Sequence, residues 1–504
     1  MKPFRWGITI FLVALAILAR MIPGPRTIDD AYITFRYARN LLSGYGFVYN
    51  PGEKVLGTTT PLYTLLLAGM GMLTGGQDAD FSSLALAINT VADGITCLLL
   101  WNLGKKAGSS GAGLAAGILW AIAPFSVTFA IGGMETSLVV CLLTGGVWAF
   151  LERRYALTGS LGALAFLTRV DTTLLFAPLG LFWVIQALRG REKMPLRAIV
   201  AAGLPVALWL IFSITFFGNP IPQSVQAKIL AYRLEPGAAL IRLLQHYATP
   251  FMDYNLLGYP ASVMVGLFLY PFLALVGTFT IFRREPRFLP YLLYPWLYFV
   301  AFALPNPLIF RWYLTPPLPV WIFLIFFGGA RVISSLSKRR WVILGVGATL
   351  TGLAMVSMLL DWRWHPDHGP TRPAPDMAYI QLELLYKEAA QWVKEMAQPG
   401  DTLAAGDVGV LGFDTNLRIL DLVGLNSPIA TRYYPLNSDL YVINYAVSPR
   451  LILDTRPDWV VILEVYGRRG LLREPKFLQE YHLVKTIETD MYGSKGLLIF
   501  SRKP

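Results

Sequence analysis

"IDDAYITFRYARNLLSGYG", residues 28–46, comes directly after an apolar run from Ile8 to Ile22. A chain that leaves a membrane-length run and at once places two adjacent carboxylates, Asp29 and Asp30, has built more than a connecting loop. Read at 3.6 residues per turn, Ala31, Phe35, Ala38, Leu41, Leu42 and Tyr45 share one face, and Arg36, Arg39, Asn40 and Ser43 share the other. The pattern predicts an interfacial helix, apolar side in the acyl region and basic side among the headgroups. Asp30 is the expected N-cap, a residue type that accepts an orphan N–H and suits the positive end of a helix. Asp29 has no such explanation from helix chemistry. Arg36 and Arg39 lie where lipid phosphates sit, which fits either a phosphorylated lipid substrate or ordinary headgroup anchoring.

The rest of the chain sets this stretch in a membrane. Of 504 residues 55% are hydrophobic and only 15% charged, against about a quarter charged in a soluble domain. The apolar residues come in long runs, the signature of a multi-pass helical protein. Eleven spans are expected, at 6–22, 80–104, 110–131, 134–151, 157–168, 172–188, 196–217, 259–282, 287–305, 312–330 and 341–360. The first run leads into Arg20 without a small-residue cleavage site and is read as a retained span. The only cysteines, Cys97 and Cys141, lie inside apolar runs, so no disulfide framework is implied.

The net charge of +12 does not call for nucleic acid. With the N-terminus inside, the inner loops collect basic residues (Lys105, Lys106, Arg153, Arg154, Arg283, Arg284 and Lys338–Arg340 among them) against Glu152, Glu192 and Glu285, while the outer loops are balanced. That is the positive-inside asymmetry, and it places the C-terminal part outside the cell membrane. "PLYTLLLAGMGMLTGG", 61–76, is short and begins with proline, so it is expected to be re-entrant or to lie at the outer interface. Segments 157–168 and 172–188 are short for a span and meet at "TRVDT", with Arg169 and Asp171, which suggests a cavity reaching into the bilayer, because charge at that depth needs a partner or water.

After Leu360 the composition turns polar. "AYIQLELLYKEAAQWVKEMA" (378–397) is an amphipathic helix closed by "QPGD". "RILDL", "WVVILE", "YHLVKTIET" and "KGLLIFS" have strand character. The expected architecture is therefore mainly α: a transmembrane bundle over 1–360 with a structured first outer loop at 23–80, a linker at 361–375, and an extracytoplasmic α/β domain at 376–504. Asp407 and Asp421 flank glycines there and are read as turn and strand-end residues. His365 and His368, in the Pro-rich linker, lack the neighbours of a zinc site. No Walker loop, dinucleotide fingerprint or nucleophile elbow occurs.

Several pieces, in order, resemble one family. "DDAYITFRYARNLLSGYGFVYNPGEKVLGTTTPLYTLLL" is similar to the first periplasmic loop of bacterial GT-C superfamily glycosyltransferases, in the group that contains the mycobacterial terminal arabinofuranosyltransferases. "GGMETSL" (132–138), "FLTRVDTTLL" (166–175), "FFGNPIPQSVQAK" (216–228), "FRWYLTPPLP" (310–319) and "GDVGVLGFDTNLRILDLVGLNSP" (406–428) resemble further family segments. The chain departs from the pattern at Leu56-Gly57-Thr58, where Glu-Gly is common, at Val170 for proline and at Asn219 for aspartate, and those departures bear on donor specificity.

The resemblance implies inverting transfer of a sugar from a polyprenyl-phosphate carrier to a glycan, lipid or protein acceptor at the outer face. No cofactor is required, and a divalent metal is left open. It implies Asp29 as the base, Asp30 as the residue holding the helix and the acceptor, and Glu135 as a second acid. Lys228, Arg169 and Arg311 become the phosphate or sugar contacts, with Arg36 added from its place on the helix. The competing class is a transporter or flippase of lipid-linked solutes, which would show an internal inverted repeat; the sequence has none.

Overall fold

The computed structural model describes residues 2–193, 195–367, 370–379 and 381–503. Its helices follow from the apolar runs, because a backbone in hydrocarbon must satisfy its own N–H and C=O groups. Six are long and apolar enough to cross a membrane: Phe81–Ala107, Val170–Leu188, Leu196–Phe217, Tyr259–Arg284, Arg311–Leu336 and Arg340–Leu359. The pair Ser110–Ile122 and Pro124–Ile131, bent by 46°, makes a seventh if counted as one span. Pro124 opens the second helix of that pair and lets the chain restart at a new angle. The chain is thus a multi-pass membrane protein, but eleven spans are not reached by length and apolarity. The other expected spans fall on shorter helices: Trp6–Met21, Thr136–Leu151 and Tyr155–Thr168, and Leu289–Ala303, whose 15 residues carry an internal Pro295. The run at 61–76 forms the 14-residue helix Pro61–Thr74, about 21 Å long at 1.5 Å per residue and short of a hydrocarbon core of about 30 Å.

Two compact units divide the chain, and neither is continuous in sequence. One comprises Met1–Arg26, Ala85–Leu208 and Pro236–Tyr379; the other comprises Thr27–Leu84, Trp209–Glu235 and Ile380–Pro504.

The first unit is helical. Its core is a continuous packing of large side chains, among them Leu12, Leu119, Trp120, Tyr291, Trp321 and Phe323. Lipid tails are as apolar as these side chains, so close packing and buried polar contacts hold such helices together. The buried contact with most partners is at Arg20. Its side chain is fully buried and pairs with Asp93, Nε to Oδ2 at 2.8 Å. It also donates to the carbonyls of Ala121 at 2.8 Å and Ala16 at 3.1 Å and to Ser126 Oγ at 2.6 Å. Asp93 in turn accepts from Trp120 Nε1 at 2.9 Å and Ser137 Oγ at 2.7 Å. One ion pair thereby joins five helices: Lys2–Met21, Phe81–Ala107, Ser110–Ile122, Pro124–Ile131 and Thr136–Leu151. Within the stretch expected as a linker, β1 (Trp362–His365) and β2 (Arg372–Pro375) pair antiparallel. His365 stacks on Tyr379 at 5.1 Å; His368 lies outside the described residues.

The second unit carries a five-stranded sheet: β3 (Thr402–Ala405), β4 (Arg418–Asp421), β5 (Trp459–Leu463), β6 (Tyr481–Ile487) and β7 (Leu497–Arg502), in the order β4-β3-β5-β7-β6. β3 runs parallel to β4 and to β5, and β7 pairs antiparallel with β5 and β6. The four segments read as strands in the sequence are β4 to β7. The β3 segment has no such signal, because its four residues Thr-Leu-Ala-Ala lack the β-branched and aromatic character that marks a strand. The parallel order puts the carboxyl ends of β3 and β4 side by side, and these ends carry Asp407 and Asp421.

Arg20→Met strands the buried Asp93 carboxylate and is expected to cost about 3–5 kcal/mol, whereas Arg20→Met/Asp93→Leu is expected to recover most of that loss. Thermal unfolding of the full chain in detergent reads both; a double variant no more stable than the single one contradicts the assignment.

Candidate active site

The helix Asp29–Leu42 begins two residues earlier than an N-cap at Asp30 would place it. Ile28 is its N-cap, without a side-chain cap, and both aspartates stand in the first turn. Asp30 is therefore not the cap, although its charge still suits that end of the helix. Asp29, unexplained from sequence, has a structural partner. Its Oδ2 accepts from the Gly409 N–H at 3.0 Å and its Oδ1 from the Val410 N–H at 2.8 Å. The carboxylate thus satisfies the leading N–H groups of the helix Gly409–Thr415, which has no cap of its own. Two glycines allow the contact. A Cβ on Gly409 would overlap the Asp29 carbonyl, and one on Gly412 would overlap the Tyr49 hydroxyl.

The same close packing corrects the reading of the helix as interfacial. Residues on both of its faces are buried, Phe35 and Tyr37 as well as Arg36 and Asn40. Arg36, expected as a phosphate contact, is 1% exposed. Its guanidinium donates to the carbonyls of Tyr49 at 2.8 Å, Leu417 at 2.7 Å and Gly412, and to Asn50 Oδ1 at 3.3 Å. Helical periodicity cannot separate a basic stripe facing headgroups from one facing buried carbonyls, since both are polar surroundings for arginine.

Around Asp29 the unit gathers two more carboxylates. Burial, then the charge of Asp407, pushes the Asp29 carboxyl up, against the pull of the two backbone N–H groups. Burial also raises Asp30, and the nearby Lys228 ammonium partly offsets it. Asp407 is pushed up to about 6 by burial, with Asp30 and Asp421 adding to the shift, although the Tyr386 hydroxyl donates to it at 2.5 Å. Tyr232 and Tyr466 both feel the Asp407 charge, and burial holds their hydroxyls protonated. The three acids differ in one respect. Asp29 has both oxygens occupied and Asp407 has its tyrosine, but among the described residues no donor is hydrogen-bonded to the Asp30 carboxylate. Asp421 is separate in kind: its oxygens hold the N–H groups of Val423, Gly424 and Asn426 and so shape their own turn.

The remaining expected site residues belong to the helical unit. Glu135 is the N-cap of Thr136–Leu151 and is buried. Arg169 lies 3.6 Å from it and is clamped by Asp171 through two hydrogen bonds of 3.1 and 2.6 Å. Arg169 also covers the Tyr313 ring at 4.4 Å, and Tyr298 donates to Asp171 at 2.9 Å. Arg169 is thus a satisfied structural charge. Arg311 lines a cleft of about 360 Å³ with Arg242, His246, Asp361 and Asp376.

Sequence reasoning missed Asp407, Tyr386 and Arg242. For Asp407 a signal existed, since ligands in open α/β sheets bind beyond the carboxyl ends of parallel strands; it was hidden because β3 was not recognised. Among the described residues no group of three or more His, Cys, Asp or Glu side chains is placed to hold a metal.

A family model described as a domain of unknown function (DUF8728) matches residues 375–500. Terminal beta-(1->2)-arabinofuranosyltransferase of Mycobacterium tuberculosis is 33% identical over 218 residues, 40% of this chain and 34% of that protein, so the match spans about a third of the relative's length. Among solved structures, the oligosaccharyltransferase AglB of Archaeoglobus fulgidus superposes with a TM-score of 0.58 at 13% identity, covering 96% of this chain and 73% of its own. ArnT of Cupriavidus metallidurans superposes with a TM-score of 0.58 at 12% identity, covering 99% and 98%. Such identities speak for the fold, and the fold is the GT-C fold of membrane glycosyltransferases.

The shifted Asp407 gives a pH dependence of known sign. Its carboxyl holds a proton more tightly folded than unfolded, where the ordinary value is 3.8, so its contribution to stability is present at low pH and is lost as pH rises toward 6. Asp407→Asn, which can still accept from Tyr386, is expected to raise the melting temperature above pH 6 by about 2 °C or more, with the difference closing near pH 4. A difference independent of pH in thermal scans contradicts this.

Proposed function

We propose that this protein is an integral-membrane glycosyltransferase. It moves a sugar from a polyprenyl-phosphate carrier to an acceptor hydroxyl with inversion, its active site and sheet-bearing segment on the extracytoplasmic side. The fold supports this reading, as do the ligands named for two structural neighbours: ArnT bound to undecaprenyl phosphate, and AglB in complex with an inhibitory peptide and a dolichol-phosphate. The side of the membrane follows from the basic inner loops.

One observation carries the assignment of roles: of two adjacent carboxylates, buried Asp29 is fixed by two N–H groups, and half-buried Asp30 has no donor among the described residues. Asp29 is therefore the positioning residue and Asp30 the base, the reverse of the order that the resemblance implied. As the acceptor oxygen bonds to the anomeric carbon, its proton passes to the Asp30 carboxylate. The bond from that carbon to the phosphate oxygen breaks, and the polyprenyl phosphate leaves with the electron pair. Burial favours the protonated form of Asp30 and so favours proton uptake. Lys228, whose charge is felt at Asp30, is the cation offered to the leaving phosphate. Asp407, Tyr386 and Tyr232 supply acceptors and donors for sugar hydroxyls.

The test is transfer in membranes fed a panel of polyprenyl-phosphate-linked pentoses and hexoses. Asp30→Asn is expected to lower turnover by about 10²–10⁴-fold, the usual worth of a general base. Asp29→Asn, which keeps one acceptor for the helix 409–415, is expected to cost less. An Asp30→Asn protein with more than about a tenth of normal turnover, or an Asp29→Asn protein more impaired than it, overturns the assignment.

A further inference from the structure

The cleft in the helical unit is lined by two arginines, Arg242 and Arg311, and by two aspartates, Asp361 and Asp376. Arg242 and His246 are four apart on the helix Ala238–Ala248 and so share a face. His246 Nε2 lies 2.9 Å from the Leu314 carbonyl, in the turn that Arg311 opens, and its ring packs edge-on against Phe125 at 4.6 Å. Arg242 is half-buried and Arg311 exposed, and both line the cleft. Among the described residues neither Arg242 nor Arg311 has a hydrogen bond or ion pair. Burial, and after it the charge of Arg311, both work against the charged form of half-buried Arg242. The same cleft carries two acids, Asp361, which is half-buried, and Asp376, which is exposed. Asp361 accepts from the Tyr254 hydroxyl at 3.5 Å through one oxygen, and its other oxygen is buried without a partner. Burial and the neighbouring Asp376 push its carboxyl up to about 6. A ligand that carries both signs of charge complements both pairs. Two guanidiniums match the oxygens of a phosphate; two carboxylates match an ammonium. A cleft of about 360 Å³ is within the range of small-ligand sites, roughly 300–1,000 Å³.

We propose that this cleft binds a phosphate ester carrying a cationic amine, its phosphate on Arg242 and Arg311 and its amine on Asp361 and Asp376. A polyprenyl phosphate without an amine would use only the arginines. The ligand comes either as a soluble phosphoamine or as an aminophospholipid headgroup, and both present the same chemistry. The site goes beyond the transfer reaction and does not depend on Asp30.

The test uses the full chain in phosphatidylcholine nanodiscs, with inorganic phosphate and phosphoethanolamine as calorimetric probes. Phosphoethanolamine is expected to bind about tenfold tighter than phosphate. Arg242→Gln or Arg311→Gln is expected to weaken both probes by about tenfold or more, and Arg242→Lys/Arg311→Lys, which keeps both charges, to retain phosphate binding. Asp361→Asn is expected to remove the preference for phosphoethanolamine without weakening phosphate, and Asp30→Asn to change neither constant. Discs containing phosphatidylethanolamine separate the sources: competition with soluble phosphoethanolamine assigns the site to a headgroup, and its absence to a soluble ligand. Failure of both probes to bind, equal affinities for the two in the unmodified protein, or constants unchanged in the Arg→Gln or Asp361→Asn proteins overturns the proposal.

Discussion

A charge taken out of water must find partners inside the protein, and the buried Arg20–Asp93 pair shows how far this chain goes to provide them. Neither group can sit alone in a helical core, where an unpaired ion costs several kcal/mol. Arg20 is met by a carboxylate, a hydroxyl and two carbonyls, and Asp93 by an indole and a hydroxyl as well as the arginine. The partners come from five helices, so satisfying the charges also fixes how those helices meet. The pair need not add net stability over apolar residues of the same size. It makes the arrangement specific, since a shifted helix would leave a charge without its partner.

The same rule sorts the other ionised residues. Arg36 spends its N–H groups on carbonyls, Arg169 on Asp171, and Asp29 both oxygens on N–H groups. These are structural charges, whatever chemistry their residue types suggest. Asp30, Arg242, Arg311 and one oxygen of Asp361 have no such hydrogen bond among the described residues, although Asp30 and Arg242 are only half-buried and Arg311 is exposed. Charged groups without a protein partner that line a cleft or stand beside other acids are candidates for contact with bound molecules.

Much of the fold was legible because hydrophobic runs and charge asymmetry are local. The apolar stretches mark the helices, the lysines and arginines of the inner loops give an orientation, and the strands with valine, isoleucine and aromatic residues announce themselves. Legibility failed where the signal was short or ambiguous. Thr402–Ala405 is too small and too brief to read as a strand, so the parallel arrangement that lends Asp407 significance was invisible. Helices such as Tyr155–Thr168 are apolar but fall short of the usual span, and composition cannot say how they are accommodated. At the site, the paired aspartates of residues 29 and 30 stood out at once, and their roles did not.

By itself, the sequence determined that the chain is a multi-pass helical membrane protein with a polar C-terminal α/β segment, and that Asp29 and Asp30 open a helix in the first long loop. Composition and periodicity suffice for this because they report on neighbours along the chain. Tertiary structure decided which of those charges are already used. Asp29 is answered by N–H groups 380 and 381 positions away, Arg36 by carbonyls near residue 412, and Arg242 lines one cleft with Arg311. Such partnerships depend on which distant segments the fold packs together, and a hydrogen bond between residues so far apart leaves no periodic trace in the sequence.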